Sequence, residues 1–302
     1  MPAASPSAVQ RPPSMWKLGG LSPWQLARKV IDDVTENQLF ERASGLAFDF
    51  LFALLPLLFI LLAVFSLSAS HSAQLRNSLL AYFADFLPAM ASQLLDRVAD
   101  ELAGNRSGGK LVIGLVLGLW FNSGGVAAMI SSLNAAYRLR ESRSWLKVRG
   151  IALALALAIS ILLILALGLV MVSGDVFDWI GNEFQMASAM VAISKALQWP
   201  TAMLFVLLSD GLILRFGPDR PAKQWQWFTP GTVFAATLWM AASLGFRFYL
   251  RYVNNYPVIF GSLGAAAILL VWLYVSGLSF LIGGEINASI ERATAEVSPQ
   301  AE

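Results

Sequence analysis

The chain has 302 residues, of which 57% are hydrophobic and 13% charged, with a net charge of +2, one histidine and no cysteine. An ordinary soluble domain is about 25% charged, so this composition excludes most soluble enzymes. The lack of cysteine excludes disulfides and thiol chemistry, and the near-neutral balance excludes the broad basic patch of a nucleic-acid binder.

The first 21 residues contain Pro2, Pro6, Pro12, Pro13, Gly19 and Gly20 and are expected to form a disordered tail. No apolar stretch follows Arg11 or Lys17 before Gly45, so this segment is not read as a signal peptide. Ser22-Pro23 has the form of an N-cap followed by a first helical proline. From there through Ala43, Leu26, Val30, Ile31, Val34 and Leu39 alternate with Arg28, Lys29, Asp32, Asp33 and Glu36. The pattern predicts an amphipathic helix, either flat on a membrane surface or packed against the ends of membrane spans.

Six long apolar runs follow, at about 45–69, 111–130, 151–173, 197–216, 228–250 and 260–284. Roughly 20 helical residues cross the hydrocarbon core of a bilayer. The expected fold class is therefore all-α: a polytopic membrane protein with six transmembrane helices in one domain, residues 22–290, and a short tail, 291–302. Pro56 removes a backbone donor and is expected to kink the first span. Between the first two spans, residues 70–110 repeat leucines at near-helical spacing and predict two short amphipathic helices broken near Pro88. That puts amphipathic helices on both faces.

Of the 21 Lys and Arg residues, 14 fall in the N-terminal segment, the 2–3 and 4–5 connections and the C-terminal tail. The positive-inside rule then places both termini in the cytoplasm. Trp16, Trp24, Trp145, Trp179, Trp199, Trp225 and Trp227 lie near the predicted interfaces and suit an aromatic belt.

Polar residues inside the spans carry the functional signal, because each is costly in lipid. Asp49 lies about six residues from the cytoplasmic end of span 1, or about 9 Å deep at 1.5 Å per residue. Asp210 sits at similar depth on span 4, and Glu285 at the inner end of span 6. Together they predict a water-accessible vestibule that binds a cation, relays a proton or contacts a head group. Interhelical ion pairing is the structural alternative. Arg42, Arg149 and Arg215 are the candidate counter-charges. Asn122 follows Gly114 and Gly118 at four-residue intervals, which reads as close helix packing with an interhelical hydrogen bond, or as a substrate-facing kink. Arg247 and Arg251, four apart at the outer end of span 5, are candidate lipid head-group contacts.

No P-loop, Gly-x-Ser-x-Gly or His-Glu-x-x-His motif occurs, and His71 stands alone after span 1. No catalytic residue, metal ligand or cofactor is expected. The partners expected are membrane lipids and an amphipathic substrate, with no nucleic acid; the small-residue face of span 2 also suits contact with a second copy of the chain.

Arg42-Ala43-Ser44-Gly45-Leu46-Ala47-Phe48 with the Pro56 region resembles the first span of the YihY/BrkB membrane protein family. So do Leu119-Trp120-Phe121-Asn122-Ser123-Gly124-Gly125, leading to Leu133-Asn134-Ala135-Ala136-Tyr137, and Phe216-Gly217-Pro218-Asp219-Arg220 through Pro230-Gly231. The most specific pieces are Phe260-Gly261-Ser262-Leu263-Gly264, Trp272-Leu273-Tyr274 and Gly284-Glu285-Ile286-Asn287. The family often has tyrosine at the place of Phe260, alanine at that of Gly284, and a Tyr-Arg pair before the proline where this chain has Arg215-Phe216-Gly217-Pro218. The resemblance implies a bacterial inner-membrane protein with six spans. The family that it resembles was once labelled ribonuclease BN and has been linked to envelope integrity and lipid traffic. One histidine, expected on the outer side, and no soluble domain argue against the nuclease label. Two roles fit: a transporter or flippase-like protein for a lipid or other amphipathic substrate, or a non-transporting scaffold or regulator of envelope assembly.

Overall fold

The structure, a computed structural model, describes residues 14–66, 108–171, 188–220, 228–252 and 256–297. Every regular element among them is helical: a 3₁₀ turn at Met15–Gly20, then α1 (Pro23–Glu36), α2 (Leu39–Ser66), α3 (Gly108–Ala136), α4 (Trp145–Met171), α5 (Ser188–Phe216), α6 (Pro230–Tyr252) and α7 (Tyr256–Val297). Of the segment 70–110, expected to form amphipathic helices, residues 70–107 lie outside the described residues, as do His71, Trp179, Trp225 and Trp227, and Gly108 already begins α3.

Helix α1 starts where the sequence predicts. The Ser22 hydroxyl accepts from the Gln25 N–H at 3.2 Å, and the Gln25 side chain accepts from the Ser22 N–H at 2.8 Å. This reciprocal cap satisfies two otherwise orphaned donors. The helix does not continue to Ala43 as expected. Asn37 caps it and Gln38 takes a left-handed φ of 54°, so the chain turns before α2 begins. Leu26, Val30 and Val34 are buried on one face. They join Leu39, Leu46, Leu133, Leu281 and Ile290 in the main apolar cluster. Of the two expected placements, α1 thus packs against the ends of the long helices, chiefly α7.

Two terminal expectations need correcting. Residues 14–20, assigned to a disordered tail, form a turn packed on α7, with Met15 buried and the Trp16 indole donating to the Phe228 carbonyl at 3.2 Å. Residues 291–297, assigned to a tail, are the final turns of α7. Helix α2 runs through Pro56 as one element.

The long helices pack in sequence, α2 on α3, α3 on α4, α4 on α5 and α6 on α7, and α7 returns to α2. Helices α6 and α7 touch through glycine: a Cβ on Gly231 would stand 2.1 Å from the Gly283 carbonyl oxygen. Outward faces are apolar, with Phe48, Phe52, Phe121, Leu157, Ile161, Leu244 and Phe248 all exposed. Val116–Ala136, Trp145–Ala166 and Ala267–Glu296 are each long and apolar enough to cross a membrane. Large apolar groups facing outward along such helices are the pattern of a chain whose solvent is lipid.

Candidate functional site

At one end of the bundle, four segments converge: α1, the α3–α4 connection, the α5–α6 connection and the last turns of α7. Arg292 on α7 organises the first cluster. Its Nη2 donates to Asp33 Oδ2 at 2.6 Å, to Glu285 Oε1 at 2.8 Å and to Ser289 Oγ at 3.0 Å. Its Nη1 donates to the Ala136 carbonyl at 2.7 Å. Glu285, fully buried, also accepts from Asn37 Nδ2 at 2.9 Å. Asp33 additionally accepts from Ser289 Oγ at 3.0 Å and from Arg138 Nη2 at 3.1 Å, while Arg138 also pairs with Glu36. One part-buried guanidinium therefore serves two carboxylates on different helices. The saturated hydrogen bonding is what lets those charges stay buried.

The second cluster stitches the connections together. Asn134 donates to Glu141 Oε2 at 2.8 Å, and its own oxygen accepts from the Asp219 N–H at 2.9 Å. Arg143 donates to Glu141 Oε1 at 2.7 Å and to the Gly217 carbonyl at 2.8 Å. These Arg143 hydrogen bonds hold the Glu141 carboxyl below the usual range, and the bonds from Ser142 do the same for Asp219. Arg220 pairs with Glu291, donates to the Leu214 carbonyl at 2.7 Å and lies 4.7 Å from the Tyr137 ring centroid. Burial pushes the Tyr137 hydroxyl well above its ordinary value. Asn287 caps α6, accepting from the Gly231 N–H at 2.9 Å and donating to Thr229 Oγ1 at 2.8 Å.

Asp210 has a different setting. It lines a cavity of about 150 Å³ between α2, α3, α5, α6 and α7, walled by Phe50, Met129, Val206, Ala235, Ala236, Trp239, Ser276 and Phe280. Among the described residues no cation stands within ion-pair distance of it, and no other titratable side chain lines the cavity. The described wall is otherwise almost wholly apolar.

The expected vestibule of Asp49, Asp210 and Glu285 is not assembled as one site. Asp49 is half-buried where α2 crosses α3, its carbonyl 3.9 Å from the Cβ position of Gly125, and it does not line the Asp210 cavity. Glu285 belongs to the Arg292 cluster. Nor do the expected counter-charges meet these acids. Arg42 donates to the Asn37 carbonyl at 3.0 Å. Arg149 donates to the Trp120 carbonyl at 2.7 Å and lies 4.3 Å from that ring's centroid. Arg215 lies over Phe216, beside a small polar pocket shared with Arg220, Thr229 and Asn287. Asn122 donates across to Ser160 Oγ at 3.1 Å, the interhelical hydrogen bond that its spacing allows. Arg247 is exposed near the end of α6 and Arg251 occupies the final turn.

Most of the polar end escaped the sequence reading, Asp33, Arg138 and Arg292 included. For Asp33 a signal exists. It stands seven residues after Leu26 and three after Val30, on the buried stripe of α1, where a carboxylate demands a partner.

Residues 30–302 match the Virulence factor BrkB family. The chain is 30% identical over 266 residues to the ribonuclease-like protein YfkH of Bacillus subtilis, an alignment covering 88% of this chain and 94% of that protein. It is 27% identical over 259 residues to a UPF0761 membrane protein of Tolumonas auensis, covering 85% and 82% of the two chains. Against another, from Pseudoalteromonas translucida, identity is 23% over 310 residues, with 98% and 92% covered. No solved structure matches the chain.

Proposed function

The chain belongs to the Virulence factor BrkB family, and on the premise that it is a membrane protein we propose that it moves a lipid or other amphipathic substrate across the inner membrane and is not an enzyme. The observation that carries this reading is the Asp210 carboxylate, without a counter-charge among the described residues, in a cavity where five helices meet. An ionisable group costs about 2.5–3.5 kcal/mol at a helix centre on insertion scales, and such groups mark substrate or ion pathways when they face a cavity.

In this reading α2 to α7 are the six spans. The shortest, α6, has 23 residues, about 34 Å at 1.5 Å per residue, against a hydrocarbon core of about 30 Å. An even number of crossings returns both termini to one side, in keeping with the contacts of α1 with the end of α7. That side is the cytoplasm, because the segments converging there carry most of the Lys and Arg residues. Arg247, exposed near the far end of α6, is positioned in this topology for lipid phosphates of the outer leaflet.

The test reconstitutes the purified protein in liposomes with fluorescent phospholipids and follows their accessibility to an external quencher. The expected result is accelerated transbilayer movement that Asp210→Asn abolishes while the protein keeps its thermal stability. No acceleration by the wild-type protein would sink the transport reading. The scaffold alternative would then stand on a different observation, the tightly packed polar end with Glu285 and Ser289 fully buried.

A further inference from the structure

The wall chemistry of the Asp210 cavity selects among ligands. Of the described side chains that line it, three can hydrogen-bond: Asp210, Ser276 and Trp239. The Trp239 indole N–H is committed to Ser276 Oγ at 3.1 Å, and the Ser276 hydroxyl donates to the Trp272 carbonyl at 2.8 Å. Both wall donors are therefore spent inside the protein. What remains for a ligand is acceptor capacity, from the carboxylate and a serine lone pair. Among the described residues an anion such as a phosphate finds neither a free donor nor a positive charge here.

A bare metal ion fits no better. Calcium takes about six to eight oxygen ligands and magnesium about six, whereas these side chains offer two carboxylate oxygens and one hydroxyl. The rest of the wall is apolar or aromatic, with Phe50, Trp239, Phe280 and Met129 among its members. Aromatic rings around a single carboxylate suit a cation whose charge is spread over carbon-bound groups and which is weakly hydrated.

Size narrows the class further. A cavity of about 150 Å³ matches the engineered protein cavity that takes benzene, so it holds about six or seven non-hydrogen atoms. Choline has seven such atoms, and ethanolamine, with four, also fits.

We propose that the cavity around Asp210 binds an organic ammonium group, the cationic end of an amphipathic substrate, with Asp210 as counter-ion and the aromatic wall as its surround. The assignment of this group to a transported molecule rests on the transport reading; the binding site itself does not. The proposal assigns the ammonium end, rather than a phosphate, to the bundle interior.

Calorimetric titration of the full-length protein in nanodiscs of phosphatidylglycerol, which carries no amine, tests it. The probes are choline, ethanolamine, 3,3-dimethylbutan-1-ol (the uncharged isostere of choline) and inorganic phosphate. Saturable binding of choline or ethanolamine is expected, with the isostere weaker by about tenfold or more and phosphate silent. Asp210→Asn should weaken choline by about tenfold or more, and Val206→Phe, which fills the cavity while keeping the charge, should abolish binding. Thermal unfolding of both variants checks that they remain folded. Equal binding of choline and its isostere, undiminished binding by folded Asp210→Asn, or no saturable binding of either ammonium would overturn the proposal. The two readings fail separately. Choline binding without lipid movement removes transport and keeps the site. Lipid movement unaffected by saturating choline, in a protein that binds none, removes the site and keeps transport.

Discussion

Substituting Gly231 by alanine should destabilise this protein far more than the same change at Gly245, although both glycines lie on α6. The built Cβ of Gly231 would stand 2.1 Å from the Gly283 carbonyl oxygen and 2.5 Å from Asn287 Oδ1. Neither neighbour is the free end of a flexible chain: one is backbone of α7, and the other is held by Gly231 and Thr229. Helix α6 must therefore move away from α7. Overpacking of a tight contact costs about 1–3 kcal/mol. Losing the bond from the Gly231 N–H to Asn287 strands a buried donor and acceptor, about 1–3 kcal/mol more. The sum is about 2–6 kcal/mol. At Gly245 a Cβ meets nothing within 4 Å, and alanine removes backbone freedom from the unfolded chain, so it should stabilise by about 0.5–1 kcal/mol. Thermal unfolding in one detergent, followed by intrinsic fluorescence, compares the pair under identical conditions. Equal midpoints for Gly231→Ala and Gly245→Ala would refute the assigned contact between α6 and α7.

Arg292→Met leaves Asp33 and Glu285 buried without their shared counter-charge and should cost about 3–5 kcal/mol. Arg138→Met, whose side chain is 47% exposed, should cost below about 1 kcal/mol; denaturant titration of the two variants ranks them. Asn122→Ala should cost only about 0.6 kcal/mol if the bond to Ser160 is its main role, and lipid movement should be unchanged; a loss of movement with normal stability would instead make Asn122 part of the pathway. The Glu141 carboxyl is held below its usual range, so its contribution is complete above the unfolded-state value and is lost as pH falls through the depressed one. The thermal midpoint should accordingly drop between about pH 6 and about pH 3.5, and drop less in Glu141→Gln.

Helix positions are legible from the sequence because a helix surrounded by lipid must satisfy its own backbone, which forces long unbroken apolar runs. The boundaries are less so. The turn at Asn37–Gln38 carries neither glycine nor proline, and the left-handed Gln38 is held there by its place between α1 and α2. Met15 and Trp16 sit in a segment whose prolines and glycines predict disorder, yet a buried methionine and one indole hydrogen bond fix it to the bundle. Composition averages over such a segment, whereas two anchoring side chains decide its structure.

The acids make the sharper lesson, because depth along a span does not say what an acid faces. Glu285 and Asp210 both read as intramembrane carboxylates near one end of a helix. Rotation about the helix axis separates them: Glu285 meets Asn37 and Arg292, residues that sequence order places 248 and seven positions away. Asp210 meets phenylalanine, tryptophan and methionine. The first is an acid whose charge is already answered, and replacing it disturbs folding. The second is a carboxyl beside empty space, so its cost in the membrane is not repaid by any described protein group. A cationic ligand small enough to share the space with the carboxylate would repay that cost. The same reasoning ranks the two acids as mutational targets. Asp210→Asn removes an energetic burden and should leave stability equal or higher, while any loss of function it causes can then be read as chemistry.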